Sequence, residues 1–264
     1  MNALVYKIAR TQARDALRSR WIAVYTVFFL LATEGLLRFS GDGAKAVLSL
    51  SSAALIVVPL VTLVLSTIYV YNAREFTELL LAQPIRRSTL FSGLYLGLAV
   101  PMAAGFVAGV GLPLLIRGGG DASQRGAVMA LLAVGMLLTF VFTAIAFVIA
   151  LGTDDRLRGL GVALGLWFVV SLLYDGMVLV VVAMFGDYPI ERALLGLTFA
   201  NPVDLARVVL LLKLDVAALM GYTGAVFQRF FGGSLGIALA AAALIMWAVV
   251  PYGFGTRQFR RKDF

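Results

Sequence analysis

Two acidic residues lie inside apolar stretches and are the first candidates for chemistry. Asp175 interrupts the apolar stretch 159–186, and Glu34 lies near the end of the stretch 21–37. A carboxylate inside a membrane is costly, so such a residue is a functional candidate by default. Glu34 has a simple partner in Arg38, which follows one helical turn later. Two interpretations of Asp175 remain open: a functional carboxylate in the outer third of its span, or a hydrogen-bonding group that interrupts the helix beside Gly176.

The dipeptide Tyr174–Asp175 suggests one enzyme class, the intramembrane aspartyl proteases. Their chemistry needs two carboxylates that share one proton. The second candidate is Asp187, which follows Gly186 just beyond the end of the same apolar stretch. Twelve residues of helix would separate the two carboxylates by about 18 Å, which is too far for a shared proton. The sequence therefore argues against this class.

Other kinds of chemistry are excluded by residues that the chain lacks. It has no cysteine and no histidine, which removes cysteine nucleophiles, disulfides, the usual zinc sites and histidine-based proton transfer. None of its four lysines follows a glycine, so the Gly-Lys-Ser/Thr phosphate loop of an ATPase cannot form. Methionines seven residues apart, Met129 with Met136 and Met177 with Met184, are more typical of packing than of a metal pathway. We predict no catalytic, cofactor-binding or metal-binding residues, and ATP with Mg²⁺ would be bound only by a partner.

A charged segment between two apolar stretches is the remaining candidate. Residues 74–87 include five charged side chains in a chain that is only 14% charged: Arg74, Glu75, Glu78, Arg86 and Arg87. Arg74 can reach Glu78 one turn later, and Phe76, Leu79 and Leu80 supply an apolar side. Pro84 ends the helix. We predict a short amphipathic helix held at the membrane face, called the elbow below; the alternative is a solvated loop that only sets topology.

The elements that position these residues are membrane spans. The chain of 264 residues is 61% hydrophobic with a mean hydropathy of +0.96, well above a soluble domain. Apolar stretches long enough to cross a bilayer occur at residues 21–37, 46–73, 88–116, 126–153, 159–186 and 230–256. No repeat or linker divides the chain, so we predict one all-α integral membrane domain, residues 1–264, with both termini on the same side.

Basic residues indicate the orientation. With the N-terminus inside, the inner segments hold 14 lysines and arginines, and the two short outer loops hold four. This asymmetry predicts that both termini are cytoplasmic. The net charge of +8 is therefore mainly topological rather than a nucleic-acid footprint. Lys7, Arg10, Arg14 and Arg18 recur at helical spacing, which predicts a helix on the cytoplasmic surface, with a frayed basic tail as the alternative.

The longest loop, residues 187–229, has its own helix signal. Asn201 is a candidate cap, Pro202 suits the first turn, and Asp204 lies three residues after the cap. An apolar stripe follows at Leu205, Val208, Val209 and Leu212. Two interpretations stay open: a helix lying on the outer surface, or a docking platform for a periplasmic protein. The candidate docking residues are Asn201, Pro202, Asp204 and Arg207.

The elbow resembles a known family. The segment ELLLAQPIRR, residues 78–87, is similar to the E-x-L-L-x-x-P-x-x-R segment of ABC-2 type permeases, the six-span subunits of ATP-driven transporters. The resemblance implies a homodimer with two separate ATPase subunits, on which the elbow docks. It assigns this ATPase coupling to Arg74, Glu75, Glu78, Leu79, Pro84, Arg86 and Arg87.

A narrower resemblance covers the second half. WFVV at 167–170 leading to Asp175, ANPVDLARV at 200–208 and LMGYTGAVF at 219–227 are similar to the NosY permeases of nitrous-oxide reductase maturation transporters. That resemblance implies a NosF-like ATPase, a NosD-like periplasmic protein and a role in copper–sulfur centre assembly. The alternatives are an ABC-2 exporter of a drug, lipid or polymer, and a membrane scaffold that transports nothing.

Overall fold

The protein is built from helices throughout the part of the chain that the structure describes. This computed structural model describes residues 2–40, 43–117, 122–185, 191–214, 230 and 233–262. The helices are α1 (Asn2–Arg18), α2 (Arg20–Phe39), α3 (Gly43–Asn72), α4 (Arg74–Leu81), α5 (Arg87–Arg117), α6 (Ala122–Gly152), α7 (Arg156–Phe168), a π-helical turn (Val169–Leu173), α8 (Tyr174–Phe185), α9 (Glu191–Ala200), α10 (Pro202–Lys213) and α11 (Ser234–Arg261).

Within the described residues, six spans are long and apolar enough to cross a membrane, as predicted. They are α2, α3, α5, α6, the continuous segment from α7 through α8, and α11. A further feature was not predicted: α9 and α10 meet at a bend of 113°, the geometry of a broken span or a re-entrant loop. The third motif of the narrower resemblance, residues 219–227, lies outside the described residues.

Helix α5 carries glycines at four-residue spacing, and two other helices pack closely on them. A Cβ added at Gly97 would lie 2.5 Å from Cβ of Gln12 in α1. One added at Gly109 would lie 2.7 Å from the carbonyl oxygen of Thr26 in α2. Small residues allow this backbone approach between membrane helices. The predicted N-terminal helix therefore forms, but it is packed along α5 instead of lying on the surface by itself.

Helix α6 lies at the centre of the bundle. It packs against α3, α5, α10 and α11. Phe106 of α5 fills the space over Gly135 of α6, where an added Cβ would lie 2.1 Å from the ring. An aromatic cluster lies near the end of the bundle that carries α4. It is formed by Phe91 and Tyr95 of α5 and Phe147 of α6. These contacts hold the start of α5 against the end of α6, and the elbow packs on the same cluster through Leu80 and Leu81.

The span from Arg156 to Phe185 is the least covered by the rest of the chain. Only 6% of its most apolar stretch is buried, compared with 61% for α5. Its exposed side chains are large and apolar, among them Leu172, Leu173, Leu179 and Val180. One face of the bundle is therefore left for lipid or for another membrane protein.

Candidate functional site

The elbow is helix α4, and one side of it is fixed to the bundle. Thr77 is buried, and its hydroxyl donates to the carbonyl oxygen of Ala73 at 2.7 Å. Leu80, Leu81 and Ile85 pack against the cluster around Phe91. The expectation that Phe76 and Leu79 face inward is wrong, since their exposed fractions are 39% and 71%.

The free side of α4 combines acidic and apolar groups. Glu75, Phe76, Glu78 and Leu79 are all exposed. At 3.6 residues per turn they occupy a continuous arc of about 160°, with the two glutamates at one edge and Phe76 at the other. Exposed aromatic and leucine side chains beside carboxylates are typical of a protein-binding surface rather than of a loop that only sets topology.

Arg74 at the start of α4 binds across the bundle instead of along its own helix. Its Nη2 lies 3.1 Å from Oδ1 of Asp154 in the turn between α6 and α7. The expected pair with Glu78 is not formed among the described residues. Nζ of Lys262, just after α11, donates to the same Oδ1 at 3.0 Å. Asp154 thus joins the elbow, the α6–α7 turn and the end of α11. We call this end of the bundle the elbow face.

The charge of Asp154 is stabilised by its two partners. The hydrogen bond from Lys262, the positive charge of Lys262 and the hydrogen bond from Arg74 lower the pKa of the Asp154 carboxyl below its ordinary value. Because 87% of its side chain is exposed, water screens these pairs and each contributes little energy. The two pairs connect α4 and the end of α11 to the α6–α7 turn while adding little to the stability of the fold.

Tyr71, at the end of α3, supports the same turn. Its hydroxyl oxygen lies 3.0 Å from the carbonyl oxygen of Thr153 and 2.7 Å from Oγ1 of that residue. The Arg74 guanidinium lies 5.4 Å from the centre of the Tyr71 ring, a cation–π distance. Gly159 leaves room for the hydroxyl, because an added Cβ would lie 2.1 Å from it. Sequence reasoning did not identify Tyr71, Asp154 or Lys262, since no local pattern links them.

Arg87 of the elbow segment holds the other edge of this face. Its Nη1 donates to the carbonyl oxygens of Lys262 at 2.7 Å and Arg260 at 3.1 Å. It therefore connects the start of α5 to the end of α11. Arg86 and Pro84 are exposed between α4 and α5.

A second group of charges lies within the membrane region. Nη1 of Arg207 in α10 lies 2.5 Å from Oδ1 of Asp175 in α8 and 3.1 Å from Oδ1 of Asp204. The sequence assigned these residues to two different sites, an intramembrane carboxylate and a docking platform. The structure combines them into one cluster of two carboxylates around one guanidinium. Glu34 is separate and pairs with Arg38 at 2.9 Å, as predicted.

Asn201 connects α10 to a break in span five. Its Oδ1 accepts the predicted capping hydrogen bond from the Val203 amide at 2.9 Å. Its Nδ2 donates at 2.8 Å to the carbonyl oxygen of Val170, inside the π-helical turn. A π-helical turn disturbs the regular backbone ladder and is often found at functional sites. Asp175 lies two residues after the last residue of this turn, so the helix interruption and the carboxylate belong to one local structure.

The two surface interpretations of α10 need correction. Asn201 and Pro202 are buried, as are Leu205, Val208 and Val209 of the apolar stripe. The helix packs against α3, α6 and α11. It is an internal element of the bundle, so Asn201 and Pro202 cannot form a docking surface in this conformation. Arg207 is paired with both Asp175 and Asp204.

Known proteins resemble the chain over nearly all of its length. Residues 6–264 match the family described as ABC-2 family transporter protein. The chain is 28% identical over 277 residues to a probable ABC transporter permease protein NosY of Pseudomonas aeruginosa. It is also 28% identical over 278 residues to a probable ABC transporter permease protein NosY of Stutzerimonas stutzeri. Each of these comparisons covers 98% of this chain and 98% of the relative.

Proposed function

The chain belongs to the ABC-2 family of transporter proteins as a permease subunit, and from this premise we propose that α4 couples it to a separate ATPase. The observation that carries the proposal is the two-sided build of α4. Its inner side is fixed by Thr77, Leu80 and Arg74, while its outer side presents Glu75, Phe76, Glu78 and Leu79. Such a helix can bind the ATPase on its outer side and transmit a movement of the ATPase to the membrane spans.

The helices that such a movement would reach are those connected to α4. Helix α3 ends at Asn72 and α5 begins at Arg87, so a displacement of α4 acts on both spans. Through Asp154 it also acts on the α6–α7 turn and the end of α11. Membrane spans are stiff, so they would tilt as units in response to closure of the ATPase. The permease itself would hydrolyse no ATP, because its sequence lacks a phosphate-binding loop.

The orientation of this assembly is part of the proposal. ATP is hydrolysed in the cytoplasm, so the elbow face would be cytoplasmic. The 14 basic residues of the predicted inner segments, against four in the two short outer loops, support that orientation in a bacterial inner membrane.

A homodimer completes the proposed transporter. One chain offers one elbow, and an ABC transporter works with a pair of ATPase subunits. The span Arg156–Phe185 is the candidate interface, because its apolar side chains are the least covered by the chain's own helices.

The narrower proposal is maturation of nitrous-oxide reductase. The names of the two relatives and the motifs around Asp175 and Asn201 support a NosY-like permease working with a NosF-like ATPase and a NosD-like periplasmic protein. We place the periplasmic contact on the face opposite the elbow, without Asn201 and Pro202. The work done there would serve copper–sulfur centre assembly.

The test is charge reversal on the free side of α4. The double variant Glu75→Lys/Glu78→Lys should reduce co-purification of a co-expressed ATPase subunit and its permease-stimulated hydrolysis. Each exposed charge contact contributes only about 0.2–1 kcal/mol, so both must be changed. Asp15→Lys, an exposed acid on α1, is the matched control and should leave both measurements unchanged. Unaltered assembly and hydrolysis in the double variant would show that α4 only sets topology and does not couple to the ATPase.

A further inference from the structure

A basic cavity opens at the elbow face beside the end of α11. Its volume is about 710 Å³, and it lies between the last turn of α6 and the last turns of α11. Arg257, Arg261 and Lys262 line it, with Asp154 as the acidic group. Phe254 forms its apolar edge. None of these residues except Asp154 and Lys262 takes part in holding the elbow.

Among the described residues, the positive charges that line this cavity outnumber the negative ones. Asp154 is already paired with Lys262 and with Arg74. Arg257 and Arg261 are exposed, and neither makes a hydrogen bond or ion pair with another described residue. Two free guanidinium groups one helical turn apart, on one side of a cavity, are suited to a phosphate group, which can accept several hydrogen bonds from them.

The same helix face continues as an apolar track. Met246, Val250 and Phe254 are each about 60% exposed and lie at four-residue spacing. Arg257 and Arg261 follow at spacings of three and four. An i, i+3, i+4 pattern places all five on one face of α11. The charged cavity is thus the end of an exposed apolar stripe that runs along a membrane span.

We propose that this cavity binds the headgroup phosphate of an anionic phospholipid. The phosphate lies between Arg257 and Arg261, and one acyl chain lies along Phe254, Val250 and Met246. Basic pockets beside membrane helices attract such headgroups, at about 1 kcal/mol for each basic residue near the surface. One acyl chain would cover the whole apolar track from Phe254 to Met246, which favours a lipid over free phosphate or over an acidic protein surface at the end of the helix. This inference is independent of the ATPase proposal.

The experiment measures lipid binding by the purified full chain in detergent. Phosphatidylglycerol, phosphatidylcholine and inorganic phosphate are each titrated against the thermal unfolding midpoint, and bound lipid is counted by native mass spectrometry. The cavity variant is Arg257→Gln/Arg261→Gln. The matched control is Arg156→Gln/Arg158→Gln, which removes two exposed arginines of the same face that do not line the cavity.

Phosphatidylglycerol should stabilise the wild-type chain, whereas phosphatidylcholine and inorganic phosphate should not. The cavity variant should bind phosphatidylglycerol roughly 25-fold more weakly, from the loss of two charges. The control variant should keep wild-type affinity. Arg257→Lys/Arg261→Lys should restore most of the binding, which separates loss of charge from misfolding.

Three results would overturn the proposal. Equal losses in the cavity and control variants would mean general attraction to a basic surface. Stabilisation by inorganic phosphate alone would identify a soluble anion as the ligand. Unchanged lipid binding together with lost ATPase binding would make the cavity part of a protein interface. If the charge reversal on α4 has no effect on the ATPase, the expected lipid binding stays the same. The two proposals can therefore fail separately.

Discussion

Arg207 and Asp175 lie thirty-two positions apart in the chain and form an ion pair of 2.5 Å between Nη1 and Oδ1. The pair joins helix α10 to span five just beyond its π-helical turn. Asp204 shares the same guanidinium at 3.1 Å. Two carboxylates therefore depend on one cation, and the consequences of removing each member differ.

Replacing Arg207 should be the most damaging change in this cluster. Arg207→Met leaves Asp175 and Asp204 facing each other without a cation, whereas Asp175→Asn leaves Arg207 paired with Asp204. We expect a loss of about 1–3 kcal/mol in the free energy of unfolding for Arg207→Met and a smaller loss for Asp175→Asn. Thermal unfolding in detergent measures both. A larger loss for Asp175→Asn than for Arg207→Met would contradict the shared-cation arrangement.

Asn201 should matter through both ends of its side chain. Asn201→Ala removes the cap of α10 and leaves the Val170 carbonyl without its donor, at a cost of about 2 kcal/mol or more. Asn201→Ser keeps a capping oxygen but loses the donor to Val170, so its loss should be intermediate. The free energy of unfolding of the two variants measures how much the capping bond and the bond to Val170 each contribute. Equal losses would show that the capping bond contributes nothing, and an unchanged stability of Asn201→Ser would show that the bond to Val170 contributes nothing.

The space over Gly159 can be tested with a neighbouring glycine as control. Gly159→Ala should displace the Tyr71 hydroxyl from the α6–α7 turn and lower the free energy of unfolding by about 1–3 kcal/mol. Gly161, in the same helix, has no atom within 4 Å of an added Cβ. Gly161→Ala should be neutral or slightly stabilising because alanine favours helix. Tyr71→Phe, which removes the hydroxyl, should relieve part of the Gly159→Ala effect; the absence of any relief would argue against this contact.

The elbow should loosen in acid through Asp154. Its partners lower the pKa of the Asp154 carboxyl below the ordinary value of 3.8. The stabilisation is therefore fully present above that value and disappears as the pH falls through the lower pKa of the folded chain. Hydrogen exchange of the α4 amides should be slower in the wild type than in Asp154→Asn at neutral pH, and the difference should vanish in strong acid. A difference that persists in strong acid would show that charge pairing is not its cause.

Several features could be predicted from short stretches of sequence. The six spans follow from runs of apolar residues, and the helix of the elbow follows from Arg74 to Leu81 with Pro84 beyond it. The capping bond of Asn201 and the Glu34–Arg38 pair also involve residues within four positions of each other. All of these depend on local backbone geometry and on the apolar environment of a bilayer, which act on each segment separately.

Other features were decided only when the helices packed. Arg74 pairs with Asp154, eighty positions away, and not with the nearby Glu78. The reason is that the end of α3 meets the α6–α7 turn at the elbow face. Asn201 and Arg207 face the interior because α10 is enclosed by α3, α6 and α11, although its composition suits a surface helix equally well. Sequence determined which segments become helices and which of them can cross a membrane. The tertiary structure determined which polar groups meet, since a buried donor or charge takes the partner that packing brings within reach.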